Sequence, residues 1–155
     1  MVKFKTAKSD QDFEIGKNLF QAYAKALGID LAFQNFESEL NNLRAQYHEP
    51  DGILFIIFSQ ENRPIGCVGI RKLDNNICEL KRMYLEAPFR GTGIGKQMME
   101  ESIKAARKLG YEKIRLDTLA TMKPAINLYK KYDFYEIESY RFNPIDGAIY
   151  FEKEL

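Results

Sequence analysis

Midway along the chain the hydrophobic pattern changes period across a glycine-rich loop. Ile77 to Leu85 reads as a strand, Arg90-Gly91-Thr92-Gly93-Ile94-Gly95-Lys96 as a loop, and about Gly95 to Leu109 as a helix. Met99, Ile103 and Ala106 line one helical face, with Met98, Ala105 and Leu109 beside them; Lys108 sits in the last turn and Gly110 stops it. Lys113 to Asp117 then reads as a short strand. A strand–helix–strand crossover of this kind returns its second strand parallel to the first, with a right-handed connection. Whatever sheet the rest of the chain builds must accommodate that parallel pair.

The flanking segments argue for antiparallel pairing elsewhere. Val2 to Thr6 alternates like a half-exposed strand. Ser9 and Asp12 make a capping box for a helix carrying Phe13, Phe20, Ala24 and Leu27, which Gly28 ends. Phe33, Phe36, Leu40, Leu43 and Tyr47 form one continuous stripe, predicting a second unbroken helix that Pro50-Asp51-Gly52 terminates. Ile53 to Phe58 is wholly apolar and reads as a central strand. The polar turn Gln60 to Arg63 leads to a strand from Pro64 to Arg71, and Asp74-Asn75-Asn76 leads on to Ile77. Such short turns imply hairpins. Beyond the crossover, Thr121 is the expected cap of a fourth helix, with Pro124 in its first turn and Ala125, Leu128, Tyr129 and Tyr132 facing inward. Phe134 to Ser139 and Ala148 to Leu155 close the sheet. Neither repeat nor linker divides the 155 residues, so one domain over 1–155 is expected.

Bulk properties narrow the function. Lys plus Arg number 23 against 22 Asp plus Glu, a net charge of +1 with no basic run, which leaves no electrostatic footprint for nucleic acid. The longest apolar run is six residues, Ile53 to Phe58, too short for a membrane span, and Val2-Lys3-Phe4-Lys5 lacks a signal-peptide core. Cys67 and Cys78 read as buried, unpaired thiols in a reducing compartment, with cytoplasm the expected location. One histidine, His48, and no Cys-x-x-Cys leave a zinc site without ligands, so no metal is expected.

The loop after Leu85 opens a helix, where unpaired amides and the helix dipole favour an anion, and its glycines suit a phosphate-binding nest. A Walker A loop fails at Arg90 and Gln97; a dinucleotide fingerprint fails at Lys96. The pattern Arg/Gln-x-x-Gly-x-Gly/Ala is met in full by Arg90, Gly93 and Gly95. Here the chain resembles the GNAT superfamily of N-acetyltransferases. Glu79 to Leu85 is similar to that family's fourth strand, Pro88-Phe89-Arg90 to the turn after it, Gly110-Tyr111 with Ile114 to Leu116 to the approach of its fifth strand, and Ala125-x-x-Leu128-Tyr129 with Phe134 to the elements that close the cofactor site. These arrive in the family's order. Asp133 stands where the family often has glycine, and aspartate also enters the left-handed region.

The resemblance implies an α/β (α+β) fold: a mixed, mostly antiparallel sheet of about six or seven strands, flanked by about four helices, with a splayed parallel pair. It implies acetyl-CoA as the acyl donor. The backbone of Met83, Tyr84 and Leu85 would pair with the pantetheine arm. The amides from Gly91 through Thr92, Gly93, Ile94 and Gly95 to Lys96 would hold the pyrophosphate with Arg90 alongside, and Asn127 would contact the arm. The expected reaction is direct attack by a neutral amine, which needs no covalent enzyme intermediate. The acceptor would be a small, amino-acid-like amine; a protein N-terminus or lysine, or a regulatory module that binds acyl-CoA without turnover, are the alternatives. Edge-strand pairing into a homodimer is compatible with the family.

Tyr129 matches the family's frequent general acid, whereas its residues alone suggest one more aromatic on a buried stripe. Glu79 is the candidate general base, its pKa expected to rise on burial among Ile77, Cys78 and Leu80; it reads equally as a strand carboxylate paired with Lys81 or Arg71. Arg71 suits a substrate carboxylate or solvent. Tyr23, Phe33 and Tyr47 suit an acceptor pocket or core, Tyr140 to Pro144 an acceptor cover or a hairpin loop, and His48 the surface.

Overall fold

The computed structural model describes residues 1–155, the side chain of Phe33 lying outside the described residues. The chain runs β1 (Lys3–Thr6), α1 (Asp10–Leu27), α2 (Phe36–Asn41), α3 (Leu43–Gln46), β2 (Ile53–Phe58), β3 (Pro64–Lys72), β4 (Ile77–Leu85), α4 (Ile94–Lys108), β5 (Lys113–Leu119), α5 (Lys123–Lys131), β6 (Tyr135–Ile137) and β7 (Ala148–Glu154). All strands join one sheet in the order β1-β2-β3-β4-β5-β7-β6. Every pairing is antiparallel except β4 with β5, the pair the crossover demands. The fold is the mixed, mostly antiparallel sheet anticipated above.

Period-two alternation divides β2 between two cores. Ile53, Phe55 and Ile57 face α4 with Met98, Met99 and Ile103, while Leu54 and Ile56 face α1 and α3 with Phe20, Leu43 and Tyr47. Coverage of both faces is why β2 is apolar throughout. It is an interior strand second from the edge; the middle place belongs to β4. Among the described residues, no helix is long and apolar enough to cross a membrane.

Helix α1 begins and ends as its sequence dictates. The Ser9 hydroxyl accepts from the Asp12 amide at 3.1 Å, Asp12 reaches back to the Ser9 amide at 3.2 Å, and Gly28 stops the helix in the left-handed region at φ 68°. The second helix departs from expectation. Instead of one rod it is a 3₁₀ turn over Ala32–Gln34 followed by α2 and α3, giving five helices rather than about four. Asn35 sits at φ 56° and Asn42 at φ −136°. Asparagine competes for backbone hydrogen bonds, and Asn42 Nδ2 donates to the Ser38 carbonyl at 3.0 Å. The apolar stripe still reaches the core through Phe36, Leu40, Leu43 and Tyr47. Thr121 does not cap α5; Met122 precedes its first turn without a side-chain cap, and Pro124 lies in that turn as expected. Asp133 takes the left-handed turn at φ 68°.

Candidate active site

The site begins where β4 and β5 part. Their pairing covers only Ile77–Cys78–Glu79 against Lys113–Ile114–Arg115, after which β5 continues beside β7 to Leu119. The cause is a bulge in β4. Gly69 lies opposite Lys81 but Cys67 opposite Tyr84, so β4 carries one residue more than β3 across that interval. Arg82 sits there at φ 56°. A bulge bends its strand, and a non-glycine residue in this region costs about 1–3 kcal/mol unless its surroundings hold it. The surroundings do so here. The buried Arg82 guanidinium donates to Glu39 at 2.6 Å and lies 5.1 Å from the Phe36 ring and 5.8 Å from that of Tyr23. Glu39 also accepts from the Tyr47 hydroxyl at 2.6 Å. Tyr47 can lie flat on β3 only because Gly69 has no Cβ, which would fall 2.5 Å from its ring.

Past the splay, one edge of β4 lacks a partner strand. The Glu86 amide turns to the Ile65 carbonyl of β3 at 2.9 Å, so strand alternation points the polar groups of Met83 and Leu85 the other way, into the gap. Tyr84 instead faces β3, opposite Cys67. The chain then makes a short turn over Ala87–Phe89, tied by the Thr92 hydroxyl to the Phe89 carbonyl at 2.6 Å. Gly91 and Gly93 follow at φ 76° and 90°. Gly93 is the N-cap of α4, and no side chain caps that end. The first amide after the loop to find a backbone acceptor is that of Gln97, on the Gly93 carbonyl at 3.2 Å. The amides from Gly91 to Lys96 therefore have no acceptor among the described residues. Arg90 and Lys96 are exposed at this loop; Arg90 Nε donates to the Leu85 carbonyl at 2.7 Å. A cluster of free amides at a helix N-terminus, beside an unpaired strand edge, fits an elongated ligand with an anionic group.

Between the diverging strands lies a cleft roofed by the end of α1 and by the β6–β7 connection. Tyr23, Lys81, Met83, Asp117, Tyr129 and Asn143 are among the residues lining it. The Tyr129 ring packs 5.9 Å from Phe134 and 6.1 Å from Phe151. Its hydroxyl has no partner among the described residues, yet none of their fully buried side-chain polar atoms is unpaired, so this hydroxyl meets the open cleft. Burial, with Tyr23 and Asp117 nearby, raises the phenol's pKa and keeps it protonated at neutral pH. Lys81 Nζ donates to Gln34 at 3.3 Å, and burial together with the Arg82 charge brings its pKa down to about 8. Asn127 lies on the exposed face of α5.

Glu79 is fully buried, as its neighbours suggested, but its pKa moves opposite to the expected rise. Burial alone would raise it. Lys81, Arg141 and Arg71 together outweigh that and lower it from 4.5 to about 2. One oxygen accepts from Arg71 at 3.1 Å; the other accepts from Arg141 and from the Tyr140 hydroxyl at 2.9 Å. Its contribution to stability is complete above about pH 4.5 and is lost as pH falls towards 2. Acid should accordingly release the β6–β7 connection from the sheet. Limited proteolysis between pH 5 and 2 is expected to show rising cleavage within residues 138–147, and Glu79→Gln to abolish that dependence; an unchanged profile would count against the linkage.

Residues 16–134 match the family model described as Acetyltransferase (GNAT) family. The chain belongs to the GNAT acetyltransferase family. An uncharacterized N-acetyltransferase from Schizosaccharomyces pombe is 36% identical over 155 residues, covering 99% of this chain and 95% of its own. Among solved structures, a GNAT acetyltransferase from Staphylococcus aureus superposes with a TM-score of 0.80 at 20% identity, covering 99% of both chains. A GNAT acetyltransferase from Elizabethkingia anophelis with acetyl-CoA bound has a TM-score of 0.71 at 20% identity, covering 99% of this chain and 98% of that one. This GNAT protein is an acetyltransferase enzyme.

The structure brings Met83 and Tyr129 together in the cleft lining, sets Gly95 at the start of α4 beside Leu128 of α5, and places Glu79 in an ion-pair cluster. Tyr23 lines the cleft, whereas Tyr47 is wholly buried and serves Glu39; His48 is exposed. The Phe33 side chain lies outside the described residues. Sequence reasoning missed Glu39 and Arg82; it offered Lys81 only as a partner of Glu79, and Tyr140 and Arg141 only within a segment read as an acceptor cover or a hairpin loop. The available signal was Glu79, Lys81 and Arg82 within one strand that is mostly buried, charges that burial obliges to find partners.

Proposed function

We propose that this enzyme transfers an acetyl group from acetyl-CoA to the primary amine of a small, amino-acid-like acceptor, both substrates being bound together. The observation that carries the reading is the meeting of three features: free amides after β4, an unpaired β4 edge, and an open cleft into which Tyr129 presents an unpartnered hydroxyl. The residues fit the donor. The amides from Gly91 to Lys96 suit its pyrophosphate, with Arg90 adding charge, and Met83 and Leu85 suit its amide-bearing arm, with Tyr84 holding that edge to β3. Asn127, exposed on α5, is available to the same arm. Acetyl-CoA supplies an activated thioester.

The remaining chemistry falls to this chain. The acceptor nitrogen forms the new C–N bond while the C–S bond breaks. Tyr129, protonated at working pH, gives the departing sulfur its proton. For the proton the amine loses, Glu79 with a pKa of about 2 is a weak acceptor, whereas Lys81, lining the cleft with a pKa of about 8, has the matching basicity. Glu79 then acts by holding Arg71 and Arg141. Two free, buried cysteines suit a reducing compartment, and cytoplasm is the proposed location.

The test is thiol release from acetyl-CoA against a panel of small amines, run beside calorimetric binding of acetyl-CoA. Acceptor-dependent release with the N-acetylated product seen by mass is expected. Tight binding with no release for any small amine would overturn the small-acceptor reading.

A further inference from the structure

We infer that Arg71 and Arg141, splayed apart on Glu79, form a carboxylate-binding subsite beside the cleft, so that the acceptor is an amine that also carries a carboxylate. This deepens the proposed function and rests on it. Glu79 is one buried carboxylate between two guanidiniums, each with a side chain about one-fifth exposed. The three together keep one positive charge. Two guanidiniums offer ten N–H donors, and the contacts to Glu79 and Gln46 occupy three of them. Arg71 and Arg141 line a polar pocket with Gln34, Ser38, Gln46 and Glu39, the last paired with Arg82, and Phe142 there is 77% exposed. Planar, forked donors of this kind match a carboxylate in two-point contact.

The pocket adjoins the cleft. Gln34 lines both, and the β6–β7 connection presents Arg141 to the one and Asn143 to the other. Along β4, Glu79 lies two residues before Lys81, roughly 7 Å at strand rise. That is within the span of a small amino acid plus the reach of an arginine. The clamp is also held in advance. The Tyr140 ring lies 5.1 Å from the Arg141 guanidinium and 5.3 Å from that of Arg115, its hydroxyl binds Glu79 at 2.9 Å, and the Tyr150 hydroxyl binds the Arg141 carbonyl at 3.3 Å. Less ordering is then needed when a ligand binds, and pre-organised donors recognise most strongly.

The experiment compares, on the wild-type enzyme, glycine, β-alanine, 4-aminobutyrate and longer amino acids with their primary amides, reading kcat/KM by thiol release. Calorimetry of the N-acetylated acids and their amides on CoA-saturated protein runs alongside. The best acid is expected to exceed its amide by at least about tenfold, chiefly in KM, with the same order in product affinity. In Arg141→Gln and Arg71→Gln the acid-to-amide ratio should fall towards one, and Arg141→Lys should restore part of it. An ion pair that merely staples the connection to the sheet would depress both series together. Equal kinetics for acids and amides in the wild type would overturn the subsite and leave the acetyltransferase reading intact. Should no amine react although acetyl-CoA binds, the proposed function fails, and product affinity still decides the subsite: equal binding of acid and amide overturns it. If either variant fails to fold, the wild-type comparison is sufficient.

Discussion

Tyr129→Phe is expected to lower kcat by roughly 100-fold or more, the contribution of a well-placed proton donor. The argument is local. The phenol oxygen has no partner within the described residues and opens onto the cleft, so deleting it breaks no internal hydrogen bond. The ring keeps its packing against Phe134 and Phe151, which a phenylalanine reproduces. Stability should change by well under 1 kcal/mol, within the ordinary range for substitutions that disturb no packing. Turnover measured by thiol release at saturating substrates, with thermal unfolding of the same preparation, checks both halves. Wild-type kcat in a folded variant would remove the proton-donor role. The raised pKa of the phenol gives the pH expectation: no loss of the acid's protonated form through neutrality, so any fall of rate on the alkaline side below pH 10 must come from another group.

The second large effect is on stability. Glu39→Ala is expected to cost about 3–5 kcal/mol, the loss typical of leaving one member of a buried ion pair alone. Arg82 and Glu39 side chains are 3% and 2% exposed, so the substitution leaves a buried guanidinium without its counter-charge. The Tyr47 hydroxyl is orphaned at the same time. For a chain of this length that translates to a fall in Tm of roughly 6–20 °C. Chemical denaturation gives the free energy, and a loss below about 1 kcal/mol would contradict the role assigned to this pair. Catalysis should suffer too, since the pair holds the left-handed bulge that parts β4 from β5. The sign with pH follows from the direction of the shift. Arg82 holds the Glu39 pKa below that of a free glutamate despite burial, so its stabilisation is present above the ordinary glutamate range and is lost on acidification through the folded value.

The catalytic and recognition effects separate cleanly. The role proposed for Tyr129, in the cleft lining, is read in kcat. The role proposed for the Arg71–Glu79–Arg141 cluster is read in KM and in the ratio of acids to amides.

Local chemistry was enough to specify much of this molecule. Periodicity and turn residues are short-range, so the strand from Ile77 to Leu85, the cap at Ser9, the stop at Gly28 and the parallel crossover could all be read directly. The glycines at 91 and 93 marked a turn into a helix, and both take left-handed dihedrals there; the amides that follow are free because they open α4. The break at Asn35 and Asn42 was less legible, since an apolar stripe keeps its spacing whether or not the backbone between its members is continuous. What tertiary structure alone decided was where the charges meet. Arg82 finds Glu39 across 43 positions and Glu79 finds Arg141 across 62. No local rule encodes such pairings; only the bulge and the returning β6–β7 connection bring them together. Lys81, two residues on in the same strand, and the distant Arg141 and Arg71 together reverse the pKa of Glu79, because a carboxylate's basicity depends on the cations that share its surroundings as well as on burial among apolar residues.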